Sequence, residues 1–154
     1  MRRAPLVRLA GQDRIMNLHA GQDREALRAA WREAWRRHQQ GLPLEPLQAQ
    51  LADLIAMHPE YQQQMQHAAN ELAQADGRAN AFLHLSLHLA LREQLATNRP
   101  AGIAQIHQRL VAAAGDGHAA EHRMIEVLGQ SLWEAQRAGR MPDEQRYLES
   151  LRRL

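Results

Sequence analysis

At 154 residues, 45% of them hydrophobic, the chain can bury one core and is short for two full domains. It has no cysteine, and its nineteen basic residues are all arginine, which excludes disulfides, thiolate metal sites, Schiff-base lysines and P-loop chemistry. With a formal net charge of +2, and arginines that alternate with acids instead of clustering, the chain lacks the basic stripe that nucleic-acid binding requires.

The N-terminus, "MRRAPLVRLAG", begins like a signal peptide, but Pro5 and Arg8 break the apolar stretch early. No segment reaches the roughly 18 consecutive apolar residues of a membrane span. The expectation is therefore a cytoplasmic protein that engages neither membrane nor nucleic acid. The pentapeptide "AGQDR" ends at Arg14 and again at Arg24, with Met16 between the copies. Residues 1–15 are expected to form a disordered extension and residues 16–154 a single helical domain.

From Asp23, "DREALRAAWREAWRRH" places Leu27, Trp31, Ala34, Trp35 and His38 on one helical face, and Gly41 ends the helix. Pro43 and Pro46 start a second helix through Leu47, Leu51, Leu54 and Ile55, which stops where His58 precedes Pro59. A third is expected over 59–74 and a fourth over 81–96, capped by Asn80 and ended by "TNRPAG". A fifth covers 103–114, a sixth about 118–138, and Pro142 opens a short last one carrying Tyr147, Leu148 and Leu151. No segment alternates with period two. The fold class is all-α, a single-domain helical bundle of about six or seven helices.

Within this pattern the nine histidines are not scattered. "AFLHLSLHLALREQL" is the most apolar helix of the chain, yet it carries His84 and His88 one turn apart on one face. Advancing about 100° per residue puts Leu87, Leu91 and Leu95 on the side of His84 and puts Ser86 and Glu93 opposite, so both histidines are expected to point inward. In "GHAAEHRMIEVLG", from Gly117, Glu121 joins Ile125, Leu128 and Leu132 on an apolar arc with His118 and His122 at its edge. Glu126, Gln130, Glu134 and Arg137 face away. His58 leads a stripe of Tyr61, Met65, Ala68 and Leu72.

A buried imidazole without partners costs on the order of 1–3 kcal/mol, and a buried carboxylate costs more. A divalent metal (zinc, iron or manganese) held by His58, His84, His88, His118, Glu121 and His122 would satisfy them all, since i,i+4 pairs on facing helices give convergent ligands. A metal-free hydrogen-bond network with Glu121 as acceptor satisfies them too. "HAAEH" also matches the H-x-x-E-H pattern of inverzincin peptidases, but those resemble large α/β proteins with a distant acidic ligand, which a short helical chain does not supply.

Other notable residues read as structural. Trp31, Trp35, Trp133, Tyr61 and Tyr147 are spaced as packing anchors. His19, His38, His67 and His107 read as edge residues, and Ser86 as a small polar residue on the outside of its helix.

"HPEY" at His58, "NAFLHLSLHLALREQ" from Asn80, "NRPAGI" from Asn98 and the stretch from "HAAEH" to the end resemble the domain-of-unknown-function 1841 family of small bacterial proteins, over about 22–154. The resemblance implies no established activity. Its pattern matches at His58, His84, His88, His118, Glu121 and His122 and departs at Gln62, commonly histidine, and at Gln130, usually an acid. Two functions stay open: a non-haem metal protein, catalytic only if a coordination position remains open, and a helical interaction module, such as a homo-oligomer, whose histidines specify packing. No small-molecule substrate is indicated.

Overall fold

A computed structural model describes residues 21–66 and 81–154 of the chain. Among them the protein is all-α, with no strand. Its elements are α1 (Gly21–Gln39), α2 (Pro46–Ala56), a 3-10 turn (Pro59–Tyr61), α3 (Ala81–Thr97), α4 (Ile103–Ala114), α5 (Gly117–Arg137) and α6 (Glu144–Arg152). The described residues fall into two compact units, one up to Leu89 and the other Ala90–Leu154, and the division lies within α3.

In the first unit α1 packs on α2. Trp31, Ala34 and Trp35 from α1 meet Leu51, Leu54 and Ile55 from α2, with Met65, Ala81, Phe82 and Leu85 completing the cluster. Full burial of each large apolar side chain contributes about 1.5–3 kcal/mol, so this cluster anchors the elements that carry His58, His84 and His88. α1 ends in a Schellman motif: Leu42 N–H bonds the Arg37 carbonyl and Gly41 N–H the His38 carbonyl, with Gly41 at φ +65°, where a Cβ would be strained. α2 begins with a capping box between Glu45 and Gln48, and Pro46 sits where a missing N–H costs nothing.

In the second unit α4, α5 and α6 pack on one another, burying Ile103, Ile106 and Leu110 with Met124, Ile125, Leu128, Leu148 and Leu151. The "NRPAG" turn is a cap: Asn98 Oδ1 accepts from the N–H groups of Gly102 and Ala104. Tyr147, 2% exposed, donates its hydroxyl to Gln94 Oε1 at 2.8 Å, a buried polar bond between α6 and the end of α3. Burial drives the Tyr147 hydroxyl pKa well above the usual phenol range.

Most helix limits follow the sequence punctuation to within two residues. The stretch after Pro59 differs. Through Gln66 it consists of turns closed by i→i+3 bonds and not an α-helix, while the rest of the expected 59–74 helix, the Asn80 cap, residues 1–15, His19 and His67 lie outside the described residues. Ser86 is not on an outer face: it is buried, and Leu83 is the exposed residue of that turn. α3 is apolar on nearly every side, so its hydrophobic pattern assigns no clear outward direction. Trp133 is not a packing anchor but 50% exposed. It shares the outward row of Glu126, Gln130 and Arg137 and lies under the Arg137 guanidinium at 4.8 Å.

Candidate functional site

The chain arrives at His58 one residue past the C-cap of α2. The following Pro59 disfavours helical backbone there, and His58 adopts φ −125°, ψ 73°, turning its ring inward until it is fully buried. Its Nδ1 lies 2.7 Å from the Leu54 carbonyl oxygen. A carbonyl can only accept, so Nδ1 carries the proton, and a neutral ring then bears its lone pair on Nε2. That Nε2 is 3.1 Å from Nε2 of His84.

Two turns of α3 supply the rest of this group. His84 and His88 follow each other at i,i+4, and the His58, His84 and His88 rings stand edge to face with centroids 4.7–4.9 Å apart. His88 is fully buried and His84 partly so. Tyr61 stacks on His58 at 5.7 Å and meets the His84 ring at 5.4 Å. Its hydroxyl pKa is raised by burial and, secondarily, by the Glu60 charge.

The 3.1 Å nitrogen–nitrogen distance suits two chemistries. It is an ordinary N–H···N hydrogen bond with His84 as donor. Two imidazole nitrogens on one metal at about 2.0–2.1 Å would stand roughly 2.8–3.4 Å apart for octahedral to tetrahedral angles. A histidine Nδ1–H held by a backbone carbonyl, with Nε2 turned inward, is also the usual arrangement that orients a metal ligand.

The second unit carries its own group on α5. Asp116 caps this helix, accepting from the N–H groups of His118 and Ala119, which fixes the start and hence the phase of the residues after it. His118 and His122 are half-buried, with ring centroids 4.1 Å apart. Glu121 is 8% exposed, and both carboxylate oxygens accept from Arg92 Nε, at 3.2 and 3.3 Å. Glu126 is exposed. The carboxylate that an H-x-x-E-H peptidase would use on water is here engaged by a guanidinium.

The structure thus brings His58, His84 and His88 together in one unit, and His118, His122 and Glu121 in the other. Arg92 is absent from the sequence-based expectations, and Tyr61 enters them only as a packing anchor. Arg92 continues the i,i+4 row of His84 and His88, and Tyr61 lies one turn after His58, so spacing held a signal for both. A cleft of about 300 Å³ on the second unit is lined by Glu126, Gln130, Glu134, Arg146 and Tyr147 among others and includes none of the histidines. Glu134 accepts from Gln130 at 2.9 Å and pairs with Arg146 at 3.6 Å. His38 is exposed and stacks on Trp35, as befits an edge residue. No described helix is long and apolar enough to cross a membrane.

Comparison with curated proteins found no match, and comparison with solved structures found none either. A family model, described as a domain of unknown function, DUF1841, matches residues 23–153. That match spans nearly the whole chain and every histidine of the two groups, and the protein belongs to the DUF1841 family.

Proposed function

We propose that the inward histidines bind a divalent transition metal: zinc, iron or manganese. In one unit His58 and His88 would offer ring nitrogens, joined by His84, and in the other His118 and His122 would. The observation that carries this reading is the tautomer of His58, whose Nδ1–H on the Leu54 carbonyl directs the lone-pair nitrogen inward toward other imidazoles. Imidazole nitrogen suits zinc and iron, while manganese would also require oxygen donors. A role in catalysis would further require a coordination position open to water, and no catalytic residue is assigned. The proposal includes a cytoplasmic location, a homo-oligomer, and no nucleic-acid or membrane partner.

A second reading draws direct support from the same 3.1 Å contact. A metal-free hydrogen-bond network would satisfy the buried rings and fix helix packing, making the protein a helical interaction or structural module. In that network His84 donates to His58.

Titrating metal-stripped protein with zinc, iron(II) or manganese while following its melting temperature separates the two. A ligand at 100 times its Kd stabilises by about 2.7 kcal/mol, or roughly 5–11 °C for a chain of this size. The metal reading expects such a rise in the wild type and its loss in His58→Ala and His88→Ala. No rise with any of the three metals would leave the network as the function of these residues. The stoichiometry reports whether the two groups serve one ion or two.

A further inference from the structure

We infer that Arg92 determines the metal selectivity of the α5 histidine pair by holding the Glu121 carboxylate out of the ligand shell; the inference rests on the metal reading above. His118 and Glu121 stand at i and i+3, the spacing at which a carboxylate and an imidazole on one helix commonly share a metal. From sequence Glu121 is the natural oxygen ligand beside His118 and His122. In the structure both of its oxygens accept from Arg92 Nε, in a pair whose side chains keep only 27% and 11% of their exposure.

Moving the carboxylate from guanidinium to metal would strand a partly buried arginine charge, which opposes the exchange. The shell offered by α5 is then neutral imidazole alone. Imidazole suits zinc, whereas carboxylate and water suit manganese. Arg92 therefore biases the pair toward zinc and against manganese, and a variant lacking the guanidinium releases an anionic oxygen donor next to His118. Arg92 is a positioning residue in this account: it acts on the ion only through Glu121.

The experiment compares zinc and manganese binding, by competition titration of the full chain, in wild type, Arg92→Gln, Glu121→Gln and the double variant. The readout is the ratio of the two dissociation constants, which a merely structural loss of stability does not shift in a metal-specific direction. The zinc-over-manganese preference falls about tenfold or more in Arg92→Gln, the lower range for altering a group that supports a metal ligand. It returns to the wild-type ratio in the double variant, and Glu121→Gln alone keeps that ratio. A ratio in Arg92→Gln equal to wild type, in protein that still binds zinc, overturns the role of Arg92 and leaves the metal reading intact. Should Arg92→Gln not fold, Glu121→Gln decides: an altered ratio means that Glu121 is already a ligand and the inference is wrong. Absence of zinc and manganese binding in wild type removes the metal reading and this inference with it.

Discussion

Replacing Glu121 with Gln, with Glu126→Gln as its control, probes the buried pair without reference to any metal. Glu121 is 8% exposed and meets Arg92 Nε through both oxygens. An exposed ion pair is worth about 0.2–1 kcal/mol, whereas removing one partner of a fully buried pair costs about 3–5 kcal/mol. Arg92 keeps 27% of its side-chain exposure, so its stranded guanidinium can still reach water, and Gln retains one oxygen to accept from Nε. The cost therefore lies between the limits, at about 1–3 kcal/mol. At about 2–4 °C per kcal/mol for a chain of this size, the melting temperature falls by a few degrees to about 10 °C. Circular-dichroism melts in the presence of a chelator measure this directly. Glu126 is exposed, and Glu126→Gln stays within about ±0.5 kcal/mol. A double-mutant cycle of Glu121→Gln with Arg92→Gln returns a coupling of at least about 0.5 kcal/mol. Equal and negligible effects of Glu121→Gln and Glu126→Gln would refute the buried pair and the inward phase of α5 with it.

Three further outcomes follow from the same structure. Tyr147→Phe strands the buried Gln94 Oε1 acceptor and costs about 1–3 kcal/mol in thermal or urea unfolding; a loss below about 0.5 kcal/mol would mean that water replaces the hydroxyl. Because the folded-state pKa of Tyr147 is raised, its stabilisation is complete below the unfolded phenol value near 10 and is lost as pH rises from there toward the folded value. Tyr147→Phe should flatten the alkaline decline, and identical declines in the two proteins would contradict this. Trp31→Ala, at a fully buried position, costs about 3–5 kcal/mol, whereas Trp133→Ala loses an exposed ring and one cation–π contact, about 1 kcal/mol or less; comparable losses would put Trp133 in the core.

Gly41, Pro46, Asp116 and Asn98 mark helix ends through local backbone chemistry, which is why the all-α class and most helix limits could be read directly. The inward phase of α5 was legible because its polar and apolar residues segregate: Glu121 lies with Ile125 and Leu128, and Glu126 with Gln130. α3 offered no such contrast. Being apolar on almost every side, it left Ser86 to be taken as outward and Arg92 to be overlooked, although Arg92 stands four residues after His88. What Glu121 meets depends on a residue 29 positions away, and no periodicity within α5 encodes that. The tautomer of His58 depends likewise on where the chain leaves α2, a consequence of Pro59 that the sequence signals, and on the Leu54 carbonyl, which it does not.

Elemental analysis of tag-free protein purified from metal-replete cells tests the metal reading most directly. Zinc, iron or manganese is expected at about one or two equivalents per chain, released when the protein is unfolded in a chelator. Less than about a tenth of an equivalent, together with no stabilisation when these metals are added back, would contradict it and leave the buried histidines as a packing network.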